Sequence, residues 1–305
     1  MVARNCQGVR VLILGSKGQL GLSILEKLEG RASIGTVMTA FSRDELDVTD
    51  VKQLEKHFGI FQPDTIINCA AWTDVEGAES NYTFARDVNY AGVVNIVREA
   101  EKHNARIIQL STDYVFDGSH KSPIGESEMQ NPLNCYGETK AEAEKFLLKE
   151  YRENSIIVRT AWLYGPYGKN FARTMIRKAL TIEDGAIRVV TDQVGQPTST
   201  LDLASRILEI TNSNVRSGVF HGTNSGSTSW FGFAELLLDS ADLGSERLVP
   251  VLSSDFASRV KRPKYSVLSQ DGWKSINFEA MRPWEDAVRD LALRIRREME
   301  EANGI

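Results

Sequence analysis

Tyr136 and Lys140 stand four residues apart in the run Tyr136-Gly137-Glu138-Thr139-Lys140. On a helix that spacing sets both side chains on one face. A phenol and an ammonium so placed suit the reduction of a carbonyl. Hydride arriving at the carbonyl carbon builds negative charge on oxygen, and a tyrosine hydroxyl can protonate it. The ordinary phenol pKa, about 10, is too high for easy proton exchange at neutral pH. A neighbouring ammonium favours the phenolate and lowers that value, and the lysine can also hold a nicotinamide ribose. Upstream, Ser111-Thr112-Asp113-Tyr114-Val115-Phe116-Asp117-Gly118 follows an apolar run. Hydroxyls then sit at the carboxyl end of a parallel strand, where open α/β sheets bind ligands, and Thr112 is placed to hydrogen-bond the reacting carbonyl. A spaced Tyr/Lys pair is common by chance; its weight comes from the company of the other segments in this order.

A hydride donor has its own signature. Gly15-Ser16-Lys17-Gly18-Gln19-Leu20-Gly21 follows the first apolar run and opens a helical one. The spacing G-x-x-G-x-x-G is a variant of the dinucleotide fingerprint, in which glycines admit a pyrophosphate and the helix N-terminus, here Gln19 and Leu20, offers N–H donors. A plain strand–helix turn is the alternative. Asn68-Cys69-Ala70-Ala71 ends a later strand, and small residues there let the backbone approach a cofactor. After the second strand the chain reads Ala40-Phe41-Ser42-Arg43. A hydroxyl and a guanidinium can hold a 2′-phosphate, whereas NAD sites usually place an acid there. Asp44 and Glu45 lie close by, so the expected cofactor is NADPH, with NADH as the alternative. Asp47 and Val48 either meet the adenine or belong to a charged loop.

Such residues need a sheet to carry them. Val11–Leu14, Thr36–Phe41, Thr65–Asn68, Arg106–Leu110 and Ser155–Val158 read as strands; Leu20–Leu28, Val51–Phe58, Phe84–His103 and Tyr136–Tyr151 read as helices between them. Strict alternation means a parallel sheet covered by helices on both faces, a doubly wound Rossmann-type α/β fold. Beyond Tyr164 the pattern loosens at Gly165-Pro166-Tyr167-Gly168. Ile187–Thr191 is a further strand, Leu201–Thr211 a helix and Gly218–Thr223 a late sheet strand. Phe231–Leu238 and the Pro283–Met299 helix belong to a smaller lobe over the sheet's carboxyl edge. The expected division is residues 1–165 and 198–223 for the cofactor domain, and residues 166–197 and 224–305 for the substrate lobe.

Composition narrows the class. With 305 residues, 42% hydrophobic and 25% charged, the chain has material for one large α/β unit or two joined domains. A net charge of -5 gives no electrostatic ground for nucleic acid or an anionic membrane as partner. Three separated cysteines, Cys6, Cys69 and Cys135, do not form a disulfide framework. Four scattered histidines have no metal spacing. No apolar run reaches the ~20 residues of a membrane span, and residues 1–10 lack the apolar core of a signal peptide. A cytoplasmic location is expected.

The chain resembles the extended short-chain dehydrogenase/reductases, and within them the dTDP-4-dehydrorhamnose reductases, over nearly its whole length. The resemblance is carried by Gly15–Gly21, Leu46-Asp47-Val48, Asn68–Trp72, Ser111–Gly118, Pro132-Leu133-Asn134 with Tyr136–Lys140, Arg159–Gly165, Asn170-Phe171, Asp192-Gln193-Val194-Gly195-Gln196-Pro197-Thr198, and Arg262-Pro263. It implies that Thr112, Tyr136 and Lys140 are a catalytic triad. Hydride would pass to C4 of dTDP-4-dehydro-L-rhamnose, with Tyr136 protonating the new alkoxide, in the last step to dTDP-L-rhamnose for polysaccharide biosynthesis. Asp113, Tyr114, Trp162 and Asn170 would line the sugar and nucleotide site, and Arg262 the diphosphate. Trp162 as a core residue and Arg262 as a surface ion pair are the plainer alternatives. Related dehydratases carry Thr-Asp-Glu where this chain has Thr112-Asp113-Tyr114; the missing acid argues against removal of water. Some relatives dimerise around a magnesium ion held by glutamates, but Ser23 and Leu201 occupy those places, so a homodimer here is expected to lack a magnesium bridge. Two other readings stay open: a reductase or epimerase of another nucleotide 4-keto-sugar, and an NADP-binding regulatory subunit similar to methionine adenosyltransferase beta.

Overall fold

Six parallel strands form the central sheet of the computed structural model, which describes residues 9–29, 36–181, 185–256 and 260–303. The strands are β1 (Val9–Leu14), β2 (Thr36–Phe41), β3 (Thr65–Asn68), β4 (Arg106–Thr112) and β5 (Ser155–Thr160); after β6 (Ile187–Val190), which lies outside the sheet, comes β7 (Gly218–His221). Their order is β7-β5-β4-β3-β1-β2. The chain winds outward from β1 in one direction to β2 and in the other from β3, so the crevice between β1 and β3 is the switch point where such sheets take ligands. This is the doubly wound fold expected from the alternation.

Period-2 alternation divides the core. Val11, Ile13, Ile67, Ile108, Ile156 and Val158 face one way, against α1 (Gln19–Leu28) and α8 (Thr200–Thr211). Leu12, Leu14, Ile66, Ile107 and Ile157 face the other, against α2 (Val51–Phe61), α5 (Gly92–His103) and α6 (Cys135–Glu150). Strands covered on both faces read as unbroken apolar runs. Asp50 starts α2 by accepting from the N–H groups of Lys52 and Gln53.

Three elements depart from expectation. The helix expected over Phe84–His103 is α4 (Tyr82–Arg86), a π-helical turn (Asp87–Ala91) and α5. The wide turn sets Asn89 inward, where its side chain accepts from Trp72 N–H (2.9 Å) and donates to Trp72 O (3.1 Å) and the Thr139 hydroxyl (3.0 Å). A short helix, α3 (Val75–Ser80), precedes it on an Asp74 cap. β6 pairs in parallel with β8 (Leu248–Val251) rather than with the sheet. With α7 (Phe171–Thr181), α9 (Trp230–Ser240) and α11 (Trp284–Asn303), which follows the short α10 (Asp271–Lys274), β6 and β8 enclose a separate core. It contains Tyr164, Ile176, Phe233, Leu237, Val288 and Ile295.

Cys69 and Cys135 are free thiols, and Cys6 lies outside the described residues. Among the described residues no helix is long and apolar enough to cross a membrane.

Candidate active site

Asn134 fixes the start of α6 by accepting from Gly137 N–H at 2.9 Å, while its amide donates to Lys261 O. Gly137 packs so closely on the Tyr114 carbonyl that no Cβ would fit between them. Helix α6 therefore starts hard against the turn that follows β4, and Tyr136 meets Tyr114 edge-on with ring centroids 5.7 Å apart. Thr112 ends β4 opposite Thr160 of β5. Its hydroxyl lies within hydrogen-bond reach of the Tyr136 phenol and of Asp113 Oδ1, and accepts from Tyr114 N–H. Thr112, Tyr136 and Lys140 thus converge, all buried, at the carboxyl edge of the sheet.

The electrostatics differ from the sequence expectation in one respect. Burial raises the Tyr136 pKa well above its ordinary value, and the Thr112 hydroxyl opposes the rise. The opposing group is Thr112 and not the lysine, whose ammonium donates to Leu110 O at 2.7 Å. Burial lowers Lys140 to about 8, with the Glu144 carboxylate acting the other way. Asp113 is pushed up to about 6 by burial against the hydrogen bonds of Ser266 and Thr112. Tyr114 is pushed up to about 12 by burial, with the Arg262 guanidinium opposing.

Beside this centre a crevice is lined by Gly15, Gly18, Arg43, Asp47, Val48, Cys69, Ala70 and Ala71, all expected to meet the cofactor, by Lys17, Leu46 and Trp72, which stood in the same motifs without an assigned role, and by Val88. Gly15 has φ +78, and a Cβ there would lie 2.7 Å from Ala70 N. Only glycine allows β1 and the end of β3 to approach so closely. Gly18 caps α1 without a side-chain acceptor, so the first-turn N–H donors of Gln19, Leu20 and Gly21 have no capping oxygen and can meet an anion. The crevice fits a dinucleotide by these features. Arg43 reaches Asp47 Oδ2 at 3.2 Å and lies over the Phe84 ring, while Lys17 pairs with Asp44 at 3.0 Å. Ser42 is placed otherwise than its type implied: it is buried, and its hydroxyl and N–H both donate to Glu45 Oε2. Burial raises Cys69 to about 12, so it packs as a neutral thiol.

Trp162 follows β5 with a left-handed φ of 47° and stacks flat on Trp230, centroids 3.6 Å apart. Phe171 flanks Trp230, whose indole N–H donates to Gln193. Trp162 is half-buried rather than a core residue, and Trp230 was not singled out in the sequence. Asn170 is consumed locally: its oxygen accepts from Arg173 N–H and its amide donates to Gly165 O and Tyr167 O. Arg262, half-exposed, pairs with Glu76 at 3.2 Å near Tyr114. Ser23 is buried and donates to Thr200 Oγ1, and Leu201 lies in the lobe core. Asn89, which holds the Trp72 backbone behind the crevice, carries no sequence signal beyond its place in an apolar helical run.

Residues 9–297 match the family described as the RmlD substrate binding domain. The chain is 37% identical over 279 residues to a protein from Streptomyces niveus named dTDP-4-keto-6-deoxy-D-glucose reductase, covering 92% of this chain and 95% of that one. It is 37% identical over 285 residues to a dTDP-4-dehydrorhamnose reductase from Streptomyces griseus, covering 92% of each. The crystal structure of dTDP-4-dehydrorhamnose reductase from Bacillus anthracis, in complex with NADP, superposes with a TM-score of 0.88 at 34% identity and covers 94% of this chain and 100% of that one. A family match across almost the whole chain, with relatives of this identity and coverage, means that the protein belongs to the RmlD substrate binding domain family.

Proposed function

We propose that this chain reduces the 4-keto group of dTDP-4-dehydro-L-rhamnose to give dTDP-L-rhamnose, with NADPH as reductant and Tyr136 as proton donor. The observation that carries this reading is the convergence of Thr112, Tyr136 and Lys140 beside the crevice at the switch point. The names of the relatives support reduction of a nucleotide-sugar 4-keto group, and the NADP complex of the Bacillus anthracis protein supports the cofactor.

NADPH when bound supplies hydride. The turn Gly15–Gly21 and the α1 N-terminus hold its diphosphate, Arg43 with Lys17 meets the 2′-phosphate, and Asp47 and Val48 border the adenine. Cys69, Ala70 and Ala71 wall the crevice. Lys140 holds the ribose. Tyr136, whose raised pKa keeps the phenol protonated at neutral pH, gives its proton to the alkoxide oxygen. Thr112 orients that oxygen, and Asp113 steadies Thr112 from behind. On the substrate side the Trp162–Trp230 stack forms an apolar wall, and Arg262 exchanges Glu76 for the substrate diphosphate. Residues 166–197 and 224–305 form the lobe over the sugar nucleotide, and residues 1–165 and 198–223 the domain that holds the cofactor and presents Thr112, Tyr136 and Trp162 to the substrate.

A second reading follows from the Streptomyces niveus relative, whose name gives a different sugar: 4-keto-6-deoxy-D-glucose as the reduced sugar. Oxidation of NADPH and NADH is followed by nicotinamide absorbance with each dTDP-keto-sugar in turn. Consumption only with the rhamnose precursor supports the first reading, and consumption only with the glucose derivative supports the second. No consumption with either, by protein that binds NADP(H), sinks both.

A further inference from the structure

Four residues beyond Lys140 on α6 lies Glu144, fully buried, with its carboxylate saturated. Arg159 Nε donates to both oxygens at 3.1 and 3.0 Å and Nη2 at 2.7 Å. The Ser111 hydroxyl and the Gln130 side-chain amide donate to the same group. Ser111 lies between Leu110, whose carbonyl takes the Lys140 ammonium, and Thr112. Arg159 is register partner of Ser111 across β4 and β5. Its Nη1 donates to Glu126 O at 3.0 Å and faces His221 Nε2 on β7 at 3.4 Å, with the guanidinium over the Phe116 ring. One carboxylate and one guanidinium therefore join α6, β4, β5 and β7 directly behind the centre, and neither lines the crevice.

Stability alone is a weak account of such a pair. Two charges taken this far from water often hold a fold together no better than apolar side chains of the same volume. What an ion pair does supply is direction: bidentate Arg–carboxylate geometry fixes distance and angle together.

We propose that the Glu144–Arg159 pair is a positioning element for the reduction, locking the Tyr136–Lys140 face of α6 onto the Thr112 edge of β4. The proposal rests on the reductase reading above. The charged and titratable groups facing Lys140 are Glu144 on its own helix and the Cys69 thiol at the end of β3. Loss of the Glu144 charge removes what favours the protonated ammonium.

The test uses Glu144→Gln and, because that variant can fail to fold, the double variant Glu144→Met with Arg159→Met, which replaces the pair by apolar volume. Steady-state kinetics, pH profiles and thermal unfolding are measured on each with NADPH and the keto sugar that the wild type reduces. The expected result for Glu144→Gln is a fall in kcat of about 10- to 10²-fold, the scale of a small misplacement of reacting groups. KM for NADPH stays near the wild-type value, and the alkaline limb of the profile moves to lower pH. The double variant folds, binds NADPH and shows the same loss of kcat. A folded double variant with wild-type kcat overturns the proposal, as does a Glu144→Gln enzyme whose loss matches its unfolded fraction with an unmoved pH profile. Failure of both variants to fold makes the pair a stability element and also overturns it. Wild-type protein inactive on both keto sugars ends the reductase reading itself, which normal wild-type turnover with unimpaired variants would leave standing.

Discussion

At the scale of single residues, burial decides the protonation states. Tyr136 is kept protonated, the form a proton donor needs, while Lys140 sits near the point where it loses its charge. Replacing Tyr136 by Phe removes only the acid, so kcat should fall about 10²-fold or more while NADPH binding, measured by fluorescence titration, stays nearly intact; full turnover would end the assignment. Lys140 titrates at about 8 in the free protein. Activity should therefore decline as pH rises through that value, because the ammonium is the competent form, and the profile of kcat/KM reports it. A profile flat to pH well above this would detach Lys140 from catalysis. Arg43→Ala should weaken NADPH more than NADH, since only the former carries the 2′-phosphate; equal losses would remove that role. That Tyr136, Lys140 and Arg43 lie at one crevice edge was legible from type and spacing read together with the neighbouring segments; their roles are what these measurements test. Ser42 was not: its hydroxyl is turned to Glu45, three residues on, and nothing in the residue types says which of two local partners a serine takes.

At the scale of elements, legibility follows burial. Strands covered on both faces carry short apolar runs, here Val11–Leu14, Ile66-Ile67, Ile107-Ile108 and Ile156–Val158, and β1, β3, β4 and β5 stand out accordingly. The π-helical turn before α5 was hidden because one extra residue in a turn barely disturbs an apolar period, yet it aims Asn89 inward. π-turns of this kind are frequent at functional sites. The lobe was harder to read, because β6 and β8 are four residues each and, among the described residues, pair only with one another. Asn170 shows how a family motif can hide a structural task. Its side chain caps the start of α7, so Asn170→Ala should cost about 1 kcal/mol of stability. If capping is its whole function, KM for the sugar nucleotide stays unchanged; a large rise in KM with unaltered melting would return Asn170 to the substrate.

At the scale of the whole molecule, polar contacts tie the lobe to the sheet at several places, and two of them carry titratable groups of opposite kind. On the cofactor side, Arg294 of α11 reaches Glu26 of α1 at 2.6 and 3.0 Å, and the Tyr167 hydroxyl donates to the same carboxylate. On the far side, His221 of β7 is fully buried; its Nδ1 lies 2.8 Å from Ser269 O, and Trp273 of α10 donates to its carbonyl. Burial, then the Arg159 guanidinium, lowers His221 from 6.5 to about 3. The unfolded chain takes up that proton below pH 6.5 while the folded one refuses it until about 3. His221 thus contributes stability that is complete above 6.5 and is lost as pH falls toward 3, at roughly 1.4 kcal/mol per pH unit. Asp113 acts in the opposite sense: raised from 3.8 to about 6, it contributes stability present below 3.8 and lost as pH rises through 6. The two largely offset each other between 4 and 6, so the melting temperature of the wild type alone would hide both. Comparison with His221→Gln separates them, because Asp113 is common to both proteins. The gap in Tm between wild type and variant should be widest near pH 7 and should narrow steadily on acidification to pH 4. A gap that stays constant over that range would mean that the ring is not held neutral, and that this tie between sheet and lobe does not make the fold sensitive to acid.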